Sequence, residues 1–151
     1  MKTLARPRDK AEILRRLGTV RPENRRRWGR MSAHQMVCHA SDALRMAMGQ
    51  KEVSRATGLL QRTILKWTCL YVPLPWPAGI ATRPEIDQQE GGTRPADFEG
   101  DMARLVALLE GVTSGTRFGG QVHPTFGTLS DGAWLRWGYL HLDHHLRQFG
   151  A

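Results

Sequence analysis

The stretch MSAHQMVCHASDALRMAMG, residues 31–49, does most to limit what this chain can become. With Ser32 as N-cap, Gln35 falls at the third helical position and completes a capping box, while Met31 and Met36 take the places of a hydrophobic staple. Two start signals agree on a helix that runs to about Met48 and stops at Gly49.

Other segments carry helical signals of the same kind. Asp9 and Glu12 imitate a capping box ahead of the Ile13, Leu14, Leu17 stripe, which predicts a helix from Asp9 to Gly18 as its stop. Residues 55–72 read as helical in part, against the strand preference of their Thr, Ile, Val and Tyr. A helix is expected from about Pro95 to Gly111, with Asp97, Glu99 and Asp101 near its positive end, and a last one from Ser130 as N-cap to about Phe149. Two long proline- and glycine-rich connections, PLPWPAGIATRPEIDQQEGGTRP and GVTSGTRFGGQVHPTFGTL, separate these elements. No alternating strand pattern and no repeat is evident. The expected fold is all-α, a helix bundle with long connecting loops, filling one domain over residues 1–151.

The 22 Lys+Arg against 14 Asp+Glu give +8, with Arg25, Arg26 and Arg27 in one run. Such charge can attract an anionic partner. The sequence holds no basic helix interleaved with aromatics, no zinc-finger spacing and no aromatic RNA-stacking motif, which argues against nucleic acid. The start MKTLARPRDK lacks an apolar segment behind its basic residues, and no run nears the roughly 20 apolar residues of a membrane span, so a cytoplasmic protein is expected. Cys38 and Cys69 form no close-spaced pair and read as reduced thiols, Cys38 being packed.

The ending HLDHHLRQFGA raises the chemical question. At about 100° per residue, His141 and His145 lie about 40° apart on the face shared with Trp134 and Trp137, whereas Leu135, Arg136 and Asp143 project elsewhere. His39 shares the inward face of its own helix with Gln35, Met36, Ala43 and Met46, and His34 belongs to the helix entrance. Three imidazoles on inward stripes need an explanation, because an unsatisfied buried polar group costs roughly 1–3 kcal/mol. A shared divalent ion supplies one: a His-x3-His pair and a third imidazole from another helix make a three-nitrogen site with open positions.

Around this triad, His39, His141 and His145, the candidates for supporting the ligands or lining the pocket are Asp42, His144, Gln148 and His123. For Gln35 the capping box is the stronger account. Trp134 and Trp137 read as core, and Arg147 should project away. No group is placed clearly enough to be named catalytic.

The stretches WGRMSAHQMVCHASDALRMAMG, PWPAGIATRPEIDQ, GTRPADFEGD, HPTFG and HLDHHLRQFG also resemble, in the same order, those of DinB-like (DinB/YfiT-like) metalloenzymes, in a branch of unknown function. The resemblance covers most of the chain from Trp28 onward. It implies a four-helix bundle with an uncommon helix order and a divalent metal on one histidine of the second helix and a His-x3-His of the last, here His39, His141 and His145. Zinc, nickel, manganese and iron all suit the family, and imidazole ligands do not choose among them. Similar proteins include transferases that use a low-molecular-weight thiol as cofactor, and metal-dependent hydrolases.

The expectation is therefore a metal-dependent enzyme acting on a small-molecule substrate, a thiol-dependent transferase first and a hydrolase second, in which the ion acts as a Lewis acid or lowers the pKa of a bound water or thiol. The reading from another class is a non-catalytic metal- or ligand-binding bundle, or one that meets an anionic partner through its arginines. Pairing of two copies as a homodimer fits bundles of this kind, with no face identified by the sequence.

Overall fold

In the computed structural model, which describes residues 1–56, 61–115 and 118–151, the capping box forms as read: Ser32 Oγ accepts from Gln35 N–H, and Gln35 Oε1 accepts from Ser32 N–H. It starts α2 (Ala33–Ala47), which ends as the chain turns at Gly49 with φ of 72°. The other helices are α1 (Pro7–Leu17), the short α3 (Lys66–Tyr71) continuing a π-helical turn at Gln61–Leu65, α4 (Phe98–Thr113) and α5 (Asp131–Gln148). Within the segment expected to be partly helical, residues 57–60 lie outside the described residues.

α5 is the hub, packing against α1, α2 and α3, while α4 covers another side of α2. The core gathers Ile13 and Leu17 of α1, Met36, Val37 and Ala40 of α2, Leu105 and Leu109 of α4, and Trp134, Leu142 and Leu146 of α5. Burial of such side chains, about 1.5–3 kcal/mol each, is what holds helices this short in place.

Several boundaries differ from the sequence reading, each for a local reason. α1 begins at Pro7 without a side-chain cap, and the Asp9 carboxylate accepts from the Thr3 N–H instead of closing a capping box. α4 starts after Pro95, because Asp97 itself is the N-cap and accepts from Gly100 N–H at 2.8 Å. Gly111 does not stop it: the helix continues to Thr113, whose hydroxyl donates to Leu109 O. The second loop contains a small antiparallel hairpin, β1 (Val122–His123) with β2 (Gly127–Thr128), too short to show alternation. Arg136, expected to point away, is buried and donates to the carbonyls of Leu70 and Lys2, tying α5 to α3 and the N-terminal segment. No described helix is long and apolar enough to cross a membrane.

Asp42 is a second tie. Fully buried on α2, it accepts from the N–H and the hydroxyl of Thr93, both at 2.7 Å, and pairs with Lys51 at 3.0 Å and Arg45 at 3.4 Å. It anchors the segment that leads into α4. An Asp42→Ala substitution strands the Thr93 N–H and should cost roughly 1.5–3 kcal/mol. Urea denaturation reads that loss. Divalent-metal affinity of the folded variant should stay unchanged.

Candidate metal centre

α2 contributes His39, and one turn of α5 contributes His141 and His145. The three rings meet: centroids lie 5.2 Å apart for His39 and His141, 4.7 Å for His39 and His145, and 4.7 Å for His141 and His145. One ligand nitrogen from each lies within 4.8 Å of the others, so the group could hold a metal ion.

Hydrogen bonds orient two of the rings. His39 Nδ1 meets the Ile86 carbonyl at 2.8 Å, and since a carbonyl only accepts, His39 carries its proton on Nδ1 and leaves Nε2 bare. His145 Nδ1 meets Gln148 Oε1 at 3.0 Å, while the same amide donates from Nε2 to the Trp28 carbonyl at 2.8 Å. That second bond fixes which way the amide points, so Gln148 accepts from His145 Nδ1–H and again leaves Nε2 bare. His141 Nε2 is buried and has no partner. A metal ligand whose other ring nitrogen donates to a carbonyl is the usual arrangement around a bound ion.

Electrostatics point the same way. Burial pushes all three imidazoles below the ordinary histidine range, His141 and His145 far below it. For His141 the neighbouring rings of His145 and His39 add to the effect, whereas the Ile86 carbonyl partly restores His39. The triad is neutral at physiological pH, the form that ligates a cation.

The other candidates fall into different places. Asp42, expected near His39, is directed to Thr93, Lys51 and Arg45, and the Ile86 carbonyl takes the position proposed for it. His144 is buried, with Trp28 at 5.6 Å and Trp76 at 6.2 Å between ring centroids. His123, on β1, accepts at Nδ1 from the N–H groups of Thr125 and Phe126, both at 3.1 Å, and stacks on Phe126. This shapes the hairpin, and burial pushes its pKa down to about 3. Arg147 turns to Asp143 at 2.9 Å, away from the triad. Trp134 and Trp137 are buried, and Trp137 also stands 4.9 Å from His141.

A hollow of about 200 Å³ opens beside the triad, and all three imidazoles line it together with His123, His144 and Trp137. Its outer wall comes from the proline-rich connection, through Trp76, Ile80 and Ile86. Sequence reasoning missed these residues and the Trp28 carbonyl. The tight turn at Pro84–Ile86 that aims the Ile86 carbonyl is signalled only by Pro84 at its first position.

His34, Cys38 and Asp101 form another group with mutually close ligand atoms. Here Asp101 is already engaged by His34 at 2.7 Å, by Ala96 N–H at 3.0 Å and by Arg104. Burial, helped by Asp101, pushes the Cys38 thiol up to about 12, so it stays protonated. The group is a hydrogen-bonded clasp between α2 and α4.

Fold and site define a mostly helical protein with a three-imidazole group, His39 and His145 buried and His141 partly so, beside a hollow. Compared with protein-family models, with curated proteins and with solved structures, the chain shows no match.

Proposed function

We propose that this chain is a metal-dependent enzyme of the DinB-like four-helix-bundle kind, holding one divalent ion on His39, His141 and His145 and acting on a small molecule in the adjoining hollow. The observation that carries the reading is the bare, buried Nε2 of His141 beside two rings whose Nδ1 atoms are tied to carbonyl oxygens. Three nitrogens leave coordination positions open, which suits catalysis better than structure.

When bound, such an ion supplies Lewis acidity and lowers the pKa of a coordinated water or thiol. The chain's own contributions are orientation and exclusion of water. Ile86 and Gln148 hold two imidazoles in one tautomer, and Trp76 and Trp137 shield the rings. No Asp or Glu lines this hollow among the described residues, and Asp87, on the neighbouring hollow that shares His39 and His145, is paired with Arg30 at 3.9 Å, which favours transfer to or from a thiol over hydrolysis with a carboxylate base.

Reconstitution with zinc, nickel, manganese or iron, followed by elemental analysis, should give one ion per chain for at least one of them. Gln148→Leu, which frees the His145 ring, should weaken that ion roughly 10- to 100-fold. A parent chain that takes up no stoichiometric ion overturns the reading. Stoichiometric metal with no turnover on thiol-transfer or hydrolytic panels leaves a binding module.

A further inference from the structure

A second hollow, of about 390 Å³, lies against the triad. The two hollows share His39, His144, His145 and the exposed strip Ile80, Ala81, Thr82. Their chemistry differs. The first is walled mainly by apolar side chains such as Met46, Leu65, Phe126 and Trp137, and Leu65 and Ile80 carry that lining to the exterior. The second is lined by Trp28, Gln88, Gln89 and Gln148, and its two charged residues, Arg30 and Asp87, face each other at 3.9 Å.

Polar atoms without partners occur on both linings, Arg83 Nε and His141 Nε2 on the first and a larger group on the second. Trp28 Nε1, both amide atoms of Gln88, and His144 Nδ1 are buried and make no hydrogen bond. His144 is itself more than nine-tenths buried and hydrogen-bonds the Trp76 backbone, which leaves Nδ1 as the bare nitrogen. Two donors, Trp28 N–H and Gln88 NH₂, thus stand with two acceptors, Gln88 Oε1 and His144 Nδ1, on lining residues of one hollow. Groups of this sort are costly to bury unless something meets them.

We propose that the two hollows form one ligand site for an uncharged amphiphile: a one-ring or short branched body in the apolar hollow, and a compact head that both donates and accepts, a carboxamide or hydroxyl, in the polar one. The junction of body and head then lies against His39 and His145. A carboxylate fits poorly, since it only accepts and leaves His144 Nδ1 and Gln88 Oε1 unmet. In the polar hollow the one cation, Arg30, is paired with Asp87, while Arg83 lies on the apolar hollow with a terminal nitrogen donating to Ser54 Oγ, so a carboxylate meets no lone cation where the head sits. The assignment of this ligand as substrate rests on the metal-dependent reading above. The bipartite site stands on the cavities alone.

Titration calorimetry with phenylacetamide, phenylacetate and toluene tests it, on the metal-free chain so that the carboxylate gains nothing from an ion, and in parallel on the zinc-loaded chain. Phenylacetamide should bind the metal-free chain at least tenfold more tightly than phenylacetate. Trp28→Phe and Gln88→Leu should each weaken phenylacetamide about fivefold or more and leave toluene unchanged, and Ala81→Trp should weaken both. Equal or tighter binding of phenylacetate, an amide preference untouched by both head-group variants, or no saturable binding to either form overturns the site. Zinc content of the same samples tests the metal reading separately: failure to load zinc removes the substrate assignment and leaves the amide preference to decide the bipartite site.

Discussion

A His141→Leu chain should bind no stoichiometric divalent ion and yet, without metal, unfold no more easily than the metal-free parent. The two halves of this expectation come from one atom. His141 Nε2 is buried without a partner, so in the metal-free fold that nitrogen is desolvated with no hydrogen bond in return. An unsatisfied buried polar group of this kind costs roughly 1–3 kcal/mol, and an apolar replacement of similar bulk removes that cost. With an ion present the balance inverts, because the same nitrogen becomes a ligand. At free zinc 100 times the dissociation constant, the parent should gain about 2.7 kcal/mol over its metal-free form and the variant nothing. Urea denaturation with and without zinc, together with elemental analysis, gives both numbers. A variant that keeps one ion per chain would remove His141 from the site. A variant much less stable than the metal-free parent would mean that the ring is held by packing and not stranded.

The triad was legible because both of its helices begin with local signals. The Ser32 and Gln35 box phases α2, and the Ser130 cap, accepting from Ala133 N–H at 3.2 Å, phases α5, so the wheel directions of His39, His141 and His145 are correct. That α2 and α5 lie side by side was not legible, since adjacency is decided by packing of the whole core. A wheel also gives direction without reach. Arg136 starts on an outward azimuth, yet its long stem brings the guanidinium to the Leu70 carbonyl. Asp42 sits three residues from His39 on a neighbouring azimuth, but Thr93 offers it a donor pair that His39 does not. The partner of His39 is a backbone carbonyl from a turn 47 residues away, and backbone groups leave no trace in residue identity. The proline-rich connection was readable as irregular. That Trp76, Ile80 and Ile86 close the hollow depends on how it folds back over α5.

The metal-free protein should lose stability steeply as pH falls below about 6.5, and zinc should move that loss to lower pH. His39, His123, His141, His144 and His145 all have folded pKa values below the ordinary 6.5, burial being the largest cause in each case. At any pH under 6.5 the unfolded chain therefore binds more protons than the folded one. Acid favours unfolding, the full stability is present above 6.5, and the loss continues down to each folded value, about 3 for His123. Each such ring contributes up to about 1.4 kcal/mol per pH unit. Asp101, held down to about 2 with hydrogen bonds outweighing its burial, adds its own loss only below its ordinary 3.8, so between pH 6.5 and 5 the histidines dominate. Chemical denaturation at half-unit steps across that window measures the slope. His123→Phe should flatten it by about one proton and leave zinc uptake intact, whereas His145→Leu should flatten it equally and abolish zinc uptake. Bound zinc occupies the nitrogens that acid would protonate, so the zinc-loaded parent should hold its stability to lower pH than either metal-free chain. A metal-free parent whose stability is flat from pH 7 to 5 would show that these rings are open to solvent, and the buried, neutral triad would fall with it.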